Sequence, residues 1–213
     1  MSGPVIGSKD AGAATTAQFG VFWGELARRF KDNEKVIFGL MNEPHDMPGS
    51  LVQANNQAAI DAIRATGAKQ MIIAPGNSWS GGHSWTQGGN DASSSFMHKL
   101  RDPLNNTAID IHEYFDNDYS GTSSTCTRDV PTALKGVTAW LKARISRSEL
   151  RWGLEGWLTL VAGAQTQGLH HRVRWRRQPN VFENARRDAG LHVQQPRVYR
   201  VDGMGSRQVE SKP

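Results

Sequence analysis

The sequence is poor in cysteine and has no long hydrophobic run. Its single cysteine, Cys126, excludes an intrachain disulfide and a cysteine-based zinc site. No stretch approaches the roughly 20 consecutive apolar residues that a membrane span needs. Residues 1–12 are small and polar, without an apolar run behind a basic start, so we expect no signal peptide in this chain. The 213 residues, 38 % of them hydrophobic and 21 % charged, have the composition of a globular protein.

The net charge of +5 is concentrated in the last third of the chain. Residues 1–144 carry seven Lys and six Arg against 14 acidic residues, whereas residues 145–213 carry one Lys and 11 Arg against six. The run at residues 172–177 (RVRWRR) could neutralise phosphates and stack on a base, which suggests nucleic-acid binding. Because the rest of the chain has no matching basic face, we expect neither a nucleic-acid partner nor a membrane partner.

The first two thirds of the chain alternate between helical and strand patterns. The predicted helices cover residues 15–33, 50–66, 96–101 and 130–143, and the predicted strands cover residues 35–41, 70–74 and 108–112. Ser50 is the expected N-cap of the second helix, and Gly67 is its expected end. The strands end at Met41, Ala74 and His112, at intervals of 33 and 38 residues, the length of a βαβ unit. This repeat predicts an α/β fold with a parallel sheet and right-handed crossovers.

The turn after the first predicted strand favours a barrel over an open nucleotide-binding sheet. In both architectures the chemistry gathers at the C-terminal ends of the strands. An open sheet that binds nucleotides would favour a glycine-rich phosphate turn at this point. Residues 42–46 (NEPHD) instead offer a carboxylate and no cradle of backbone amides. The sequence therefore favours a (β/α) barrel.

Polar and aromatic side chains follow each predicted strand. Residues 42–44 (NEP) follow the first strand, residues 75–81 (PGNSWSG) the second, and residues 112–114 (HEY) end and follow the third. Glycoside cleavage needs one carboxyl group to protonate the leaving oxygen and a second to attack the anomeric carbon or activate water. Aromatic rings stack on sugar rings, and amide and imidazole groups hold hydroxyls and tune carboxyl pKa values. The pattern therefore points to glycoside hydrolysis.

Three segments resemble glycoside hydrolase family 5, in particular the secreted microbial endo-β-1,4-glucanases. Residues 35–45 (KVIFGLMNEPH) closely resemble the fourth-strand signature of that family, and residues 70–82 and 109–126 resemble its fifth and sixth strands with their loops. The resemblance covers roughly residues 5–149. It implies about strands four to six or seven of a (β/α)8 TIM barrel, a β-glucan substrate and an extracellular location. We expect no cofactor, no metal and a monomer.

The same resemblance implies roles for individual residues. Glu43 matches the general acid/base of a retaining mechanism. Asn42 matches the residue that contacts the sugar 2-hydroxyl beside the cleaved bond. His112 and Tyr114 match the pair that flanks the catalytic carboxylates, with Tyr114 hydrogen-bonded to the nucleophile. Trp79 matches a sugar-contacting loop position.

The chain departs from the family pattern on both sides of these motifs. The family places three strands before the one that ends at Met41, whereas only 34 residues precede Lys35 here. An Arg and a His that usually line the cleft from those strands are missing. Cys126 matches a cysteine that often pairs with a later one, which this chain lacks. Where the family has Glu-Phe-Gly-Gly around its nucleophile, residues 148–153 read SELRWG.

A one-base frameshift would explain why residues 148–153 lack the Glu-Phe-Gly-Gly sequence. Glu-Leu-Arg-Trp-Gly can be encoded as GAG CTT CGG TGG GGN, and deletion of the C after GAG gives codons for Glu-Phe-Gly-Gly. Our hypothesis is that residues 1–149 form the partial catalytic barrel, and that residues 150–213 are an out-of-frame, irregular, Arg-rich tail. Glu149 is then the predicted nucleophile. Glu155 is the rival candidate.

Two functions fit this sequence. One is hydrolysis of internal β-1,4-glucosidic bonds, impaired in this chain. The other is a catalytically inactive carbohydrate-binding fragment that retains Asn42, Trp79 and Tyr114. No role is predicted for Asp110, which alternates with apolar residues and is expected to face a neighbouring helix. His83 and His98 show no metal-ligand spacing and are expected at the surface.

Overall fold

Four parallel strands form one sheet in the computed structural model, which describes residues 3–146 and 159–162. The strands are β1 (Phe38–Gly39), β2 (Ile72–Pro75), β3 (Thr107–Glu113) and β4 (Thr159–Ala162). Each pairs in parallel with the next strand along the chain, in the order β1-β2-β3-β4. Parallel strands in sequential order, separated by helices, are the arrangement of a (β/α) barrel. The predicted α/β class and parallel sheet are confirmed.

Because the strands are parallel and paired in register, their C-terminal ends lie together at one rim of the sheet. Pro75 of β2 pairs with Asp110 of β3, and Asp110 pairs in turn with Thr159 of β4. The pairing continues beyond β2 as a parallel bridge between Gly81 and His112. The loops that follow β1, β2 and β3 therefore emerge at the same rim, where barrel enzymes carry their active sites.

Among the described residues, one α-helix precedes β1 and four lie between successive strands, and their ends depend on both local and distant contacts. They are α1 (Thr16–Phe30), α2 (Gly49–Ala65), α3 (Ser93–Phe96), α4 (Val130–Ala133) and α5 (Lys135–Ser146). Thr15 and Gln18 cap α1 reciprocally, as a capping box. After α2, Gly67 adopts a left-handed conformation with φ of 84°, as a helix-ending glycine does. Within the described residues, no helix is long and apolar enough to cross a membrane.

Two predicted helix features are wrong. Ser50 does not cap α2, because the helix begins at Gly49, whose N–H donates to the Asp91 carboxylate at 2.7 Å. This cap comes from 42 residues further along the chain, so the local pattern could not show it. The helix predicted over residues 130–143 is divided at Leu134 into α4 and α5.

The hydrophobic core lies between the sheet and the first two helices. Phe19, Trp23 and Ala27 form the buried face of α1, which packs against α2. The two helices approach closely, because a methyl group added at Gly20 would lie 3.1 Å from the carbonyl oxygen of Ala58. The same core includes buried apolar residues of α2, the strands, the loop after β2 and the later helices: Val52, Ile60, Ile63, Phe38, Ile72, Ile111, Trp85, Phe96, Val137 and Trp140.

A buried ion pair stabilises the opposite end of the sheet, where β2 and β3 begin. Arg64 of α2 donates from Nε and Nη2 to the two carboxylate oxygens of Asp102, at 2.8 and 2.9 Å. The two side chains are 5 % and 0 % exposed. The same guanidinium also donates to the carbonyl oxygens of Ala68, Gln70 and Asn106. One side chain therefore holds together the segments that lead into two strands.

The Asp102 carboxylate is satisfied on all sides. It accepts hydrogen bonds from the N–H groups of Leu104 and Asn106 and from the hydroxyl of Thr107. Burial alone would raise the pKa of Asp102, but the hydrogen bonds from Arg64, Leu104 and Thr107 outweigh it and lower the pKa to about 2. The carboxyl group is therefore ionised at neutral pH.

The β1 edge of the sheet is exposed in the described part of the chain. There β1 pairs only with β2, and Ile37, immediately before β1, is 54 % exposed. An apolar groove runs along this edge, lined by Trp23, Leu26, Phe30, Val36, Ile37, Phe38 and Gly39. Unpaired strand edges with apolar neighbours promote association between chains.

Candidate active site

Glu43 lies in the loop that follows β1, at the C-terminal rim of the sheet. Its backbone is in the left-handed region, with φ of 48°, which is uncommon for a residue with a side chain. Such conformations persist where the surroundings fix them, and they cluster at functional sites. Here the loop is held by a hydrogen bond of 3.1 Å from the Trp79 N–H to the carbonyl oxygen of Pro44.

The imidazole of His112 bridges two carboxylates. Nδ1 lies 2.6 Å from Oε1 of Glu43, and Nε2 lies 3.1 Å from Oδ2 of Asp110. The side chains of His112, Glu43 and Asp110 are 16 %, 24 % and 14 % exposed. The predicted placement of Glu43 and His112 on one rim is confirmed. The expectation that Asp110 faces a neighbouring helix is wrong, because residues two apart in a strand point to the same face.

The two carboxylates favour the protonated form of His112. The hydrogen bond to Asp110 makes the largest contribution, burial opposes it, and the hydrogen bond to Glu43 adds to it. Together they raise the pKa of His112 from 6.5 to about 9. At neutral pH the imidazole is therefore a cation that lies between two carboxyl groups.

The stability of the fold is expected to decrease as the pH rises from 6.5 to 9. Because the folded-state pKa of His112 is raised, its contribution is complete below the unfolded-state value of 6.5 and is lost as the pH passes about 9. We expect about 1–2 kcal/mol, less than the full shift implies, because the group is partly solvated. Urea unfolding at pH 6, 7.5 and 9 measures this slope. His112→Gln should flatten it, and equal slopes in both proteins would contradict the assignment.

Trp79 presents its indole at the same rim. Three successive residues, Ser78, Trp79 and Ser80, have positive φ values of 51°, 58° and 56°, which turn the loop sharply. The His45 ring stacks on the indole with 4.6 Å between centroids and 11° between planes. Trp79 is nevertheless 50 % exposed. The indole is thus held by one neighbour and remains accessible to a flat ligand face.

The other predicted site residues are only partly located by the structure. Asn42 is exposed immediately before Glu43, and Tyr114 is half-buried immediately after β3. Glu149 and Glu155 lie outside the described residues, so the identity of the nucleophile remains a prediction. The strand β4 has the sequence TLVA and contributes no carboxyl group. Within residues 3–146 and 159–162, no group of three or more His, Cys, Asp or Glu side chains is placed to hold a metal ion.

Comparison with protein families shows which family has this sheet and these rim residues. Residues 4–146 match the family model for Cellulase (glycosyl hydrolase family 5). The chain belongs to glycosyl hydrolase family 5. Its four parallel strands and their helices are accordingly part of a (β/α)8 barrel, as the sequence predicted.

Relatives within family 5 are similar to the same part of the chain. Endoglucanase 1 of Robillarda sp. (strain Y-20) is 67 % identical over 143 residues, which are 67 % of this chain and 37 % of that protein. An endo-β-1,4-glucanase from Xanthomonas axonopodis pv. citri is 40 % identical with a TM-score of 0.62, over 67 % of this chain and 45 % of that one. XacCel5A in complex with cellopentaose is 39 % identical with a TM-score of 0.62, over 68 % and 46 %. The chain spans less than half the length of each of these proteins.

A second histidine–carboxylate pair holds the rim of this family 5 chain together. The Glu113 side chain is fully buried, and its Oε2 accepts the His83 N–H at 2.6 Å while its Oε1 lies 3.1 Å from His83 Nδ1. The neighbouring Gly82 N–H donates to the His112 carbonyl oxygen at 2.9 Å. These bonds join the loop that carries Trp79 to the strand that carries His112.

His83 and Glu113 were not predicted as a pair. The expectation of His83 at the surface is wrong, because its ring is half-buried and stacks on Tyr119 at 4.0 Å. The sequence signal for Glu113 was its strand position, which places it on the face opposite His112. Its partner lies 30 residues earlier in a loop, where no local pattern indicates a contact.

Proposed function

We propose that this chain is the part of an endo-β-1,4-glucanase catalytic domain that carries the general acid/base. The substrate would be cellulose or a related β-glucan, cleaved at internal bonds with retention of configuration. The observation that carries this proposal is Glu43 hydrogen-bonded to His112 at the barrel rim, in the loop that is bonded to Trp79. The endoglucanase names of the relatives and the cellopentaose complex of XacCel5A support it.

The proposed reaction needs two carboxyl groups about 5–5.5 Å apart. In the first step the nucleophile attacks the anomeric carbon while the glycosidic C–O bond breaks, and Glu43 gives its proton to the leaving oxygen. In the second step Glu43 takes a proton from water, which attacks the same carbon and releases the nucleophile. We assign the nucleophile to Glu149, with Glu155 as the alternative.

The described neighbours of Glu43 have distinct tasks in this proposal. His112 holds Oε1 of Glu43, which leaves Oε2 to face the glycosidic oxygen. Asn42 would hold the sugar 2-hydroxyl, and Tyr114 would donate to the nucleophile. Trp79 would stack on the apolar face of a glucose ring.

An inactive carbohydrate-binding fragment is the second candidate. It is favoured by the exposed indole of Trp79, because stacking on a sugar needs no second carboxyl group. A reducing-sugar assay on carboxymethylcellulose tests the glucanase in a chimera, the Robillarda endoglucanase 1 whose matching segment is replaced by the 143 residues of this chain. Electrophoresis of the 213-residue chain through a native gel containing the same polymer tests the binding fragment. Release of reducing ends by the chimera supports the glucanase, whereas retardation of the chain beside an inactive chimera supports the binding fragment. An inactive, folded chimera together with a folded chain that is not retarded would refute both.

Trp79→Ala is expected to weaken cellopentaose binding about tenfold, equivalent to ~1.4 kcal/mol. The reason is the loss of the apolar surface on which a glucose ring would lie. Titration calorimetry with cellopentaose measures the change. Phe22→Ala removes an aromatic ring of similar exposure on α1, and this control should leave the affinity unchanged. Equal affinities for Trp79→Ala and the parent chain would exclude the indole as a sugar platform.

A further inference from the structure

A line of hydrogen bonds runs from Glu43 through His112 to Asp110, and its donors can be assigned. An ionised carboxylate only accepts hydrogen bonds, so the imidazole nitrogen that faces it must carry a hydrogen. With both carboxylates ionised, His112 therefore donates from Nδ1 to Glu43 and from Nε2 to Asp110. Asp110 has no part in the reaction proposed above, yet it occupies one of the two ring nitrogens.

We propose that Asp110 is a positioning residue that keeps a proton on Nε2 of His112, so that Nδ1 is the nitrogen that exchanges a proton with Glu43. This inference rests on the proposed function, because it concerns the proton that Glu43 would give to the leaving oxygen. It assigns a task to a carboxylate that touches neither the sugar nor the reacting atoms.

The proton count of the three groups explains why the position of this proton matters. Two arrangements hold the same number of protons. In one, His112 is a cation and Glu43 is ionised. In the other, Nδ1 has passed its proton to Glu43, and the neutral imidazole accepts the Glu43 O–H while Nε2–H still donates to Asp110. The second arrangement is the one in which Glu43 can act as an acid, and the proton moves only across the 2.6 Å contact.

Without a carboxylate at position 110, the neutral His112 ring would favour a different tautomer. Its single proton could then sit on Nδ1 and donate to an ionised Glu43, which is the arrangement that leaves Glu43 without a proton to give. The charge at Asp110 also favours the cation, so its removal should lower the proton affinity of the ring. Asp110 thus affects both the charge and the tautomer of His112.

The backbone holds Asp110 and His112 rigidly in these positions. Both lie on β3, where Asp110 pairs with Pro75 and Thr159 on either side. The His112 carbonyl oxygen accepts the Gly82 N–H, which fixes the end of the strand. Among the described residues, Glu43 and Asp110 are the titratable groups bonded to the imidazole. The Asp110 hydrogen bond is also the largest contribution that raises the pKa of His112.

Nitrogen-15 NMR of the histidine rings tests the proposal in the 213-residue chain. His112→Gln assigns the His112 signals. We expect the His112 imidazole to titrate above pH 8, and above that pKa we expect its proton on Nε2. Asp110→Asn should lower its proton affinity at least tenfold, and Asp110→Ala should in addition shift the neutral tautomer toward Nδ1–H. Asp61 is an exposed aspartate of α2, and Asp61→Asn should change neither the pKa nor the tautomer of His112.

Two outcomes would overturn the proposal. One is a neutral His112 in the parent chain with its proton on Nδ1, a result that requires no Asp110 variant to fold. The other is an unchanged His112 titration in Asp110→Ala whose circular dichroism matches the parent. Neither readout involves sugar or turnover. A failure to bind or cleave glucan would therefore refute the proposed function while leaving the proton arrangement measurable.

Discussion

Asp102→Ala is expected to lower the free energy of unfolding by about 3–5 kcal/mol. The substitution leaves the Arg64 guanidinium buried without its counter-ion, because both side chains are almost entirely inaccessible to solvent. It also removes the acceptor of the Leu104 and Asn106 N–H groups at the entry to β3. Urea unfolding followed by circular dichroism measures the loss. The expected result is a lower midpoint with an unchanged slope.

An exposed ion pair provides the matched control. Glu25 and Arg28 on α1 form a salt bridge in which both side chains are 59 % exposed. Glu25→Ala should shift the midpoint little, because exposed pairs gain little energy and are screened by salt. If Asp102→Ala and Glu25→Ala lowered the midpoint equally, the buried pair would not be the structural anchor that its geometry indicates.

The two ends of the sheet carry different kinds of charged groups, a buried ion pair at one end and the candidate active site at the other. At the N-terminal ends of the strands, Arg64 and Asp102 satisfy each other and hold the chain segments that enter β2 and β3. At the C-terminal ends, Glu43 and Asp110 share one imidazole and retain partial exposure to solvent. Removing one partner of a buried, fully hydrogen-bonded ion pair leaves an uncompensated charge and destabilises a fold. A charge that keeps access to water can exchange protons with a substrate.

The sheet could be predicted from sequence because its signal is local. Short β-rich apolar runs at regular spacing indicated the order and direction of β1, β2 and β3, since neighbouring parallel strands need a crossover long enough to hold a helix. The ends of the helices were less predictable. Gly49 begins α2 because Asp91 accepts its N–H from a different loop. Such a contact forms only in the folded chain, so the sequence around Gly49 does not indicate it.

The part of the candidate site that could be predicted consists of residues at the ends of single strands. The strand-end rule brought Glu43 and His112 to the same rim, because parallel strands share a C-terminal edge. The contact between Asp110 and His112 was not predicted, although their two-residue spacing places both side chains on one face of the strand. A charged residue alternating with apolar ones was interpreted as pointing away from the site. The pairing of His83 with Glu113 had no sequence signal at all.

Most of the C-terminal third of the chain lies outside the described residues. The prediction of an irregular, out-of-frame segment over residues 150–213 remains a prediction, as does the nucleophile at Glu149. Within that range the described residues are Thr159–Ala162, and they form β4 beside β3. The strand has the apolar, β-branched composition that pairs readily with a neighbouring strand. The nucleotide sequence across the Glu149 codon decides whether a base has been gained there.

Glu43→Gln is expected to lower the hydrolysis of carboxymethylcellulose about 10²–10⁴-fold, the contribution of general acid–base catalysis. The host for this test is the Robillarda endoglucanase 1, in which the 143 residues of this chain that match it at 67 % identity replace their counterpart. The host supplies the rest of its own barrel, so Glu43 is tested without dependence on Glu149. The 213-residue chain alone is the reference, for which we expect negligible release of reducing sugar.

The leaving group distinguishes a lost acid from a damaged fold. A dinitrophenyl cellobioside needs little protonation to depart, so Glu43→Gln should still release dinitrophenol in a burst from its first step. Its second step should be slow, because no base activates the water. Glu25→Gln, an exposed change on α1, should leave both substrates unaffected. Equal losses on the polymer and on the burst would indicate that Glu43 supports the structure of the rim and not the transfer of a proton, since a general acid matters only when the leaving oxygen must be protonated.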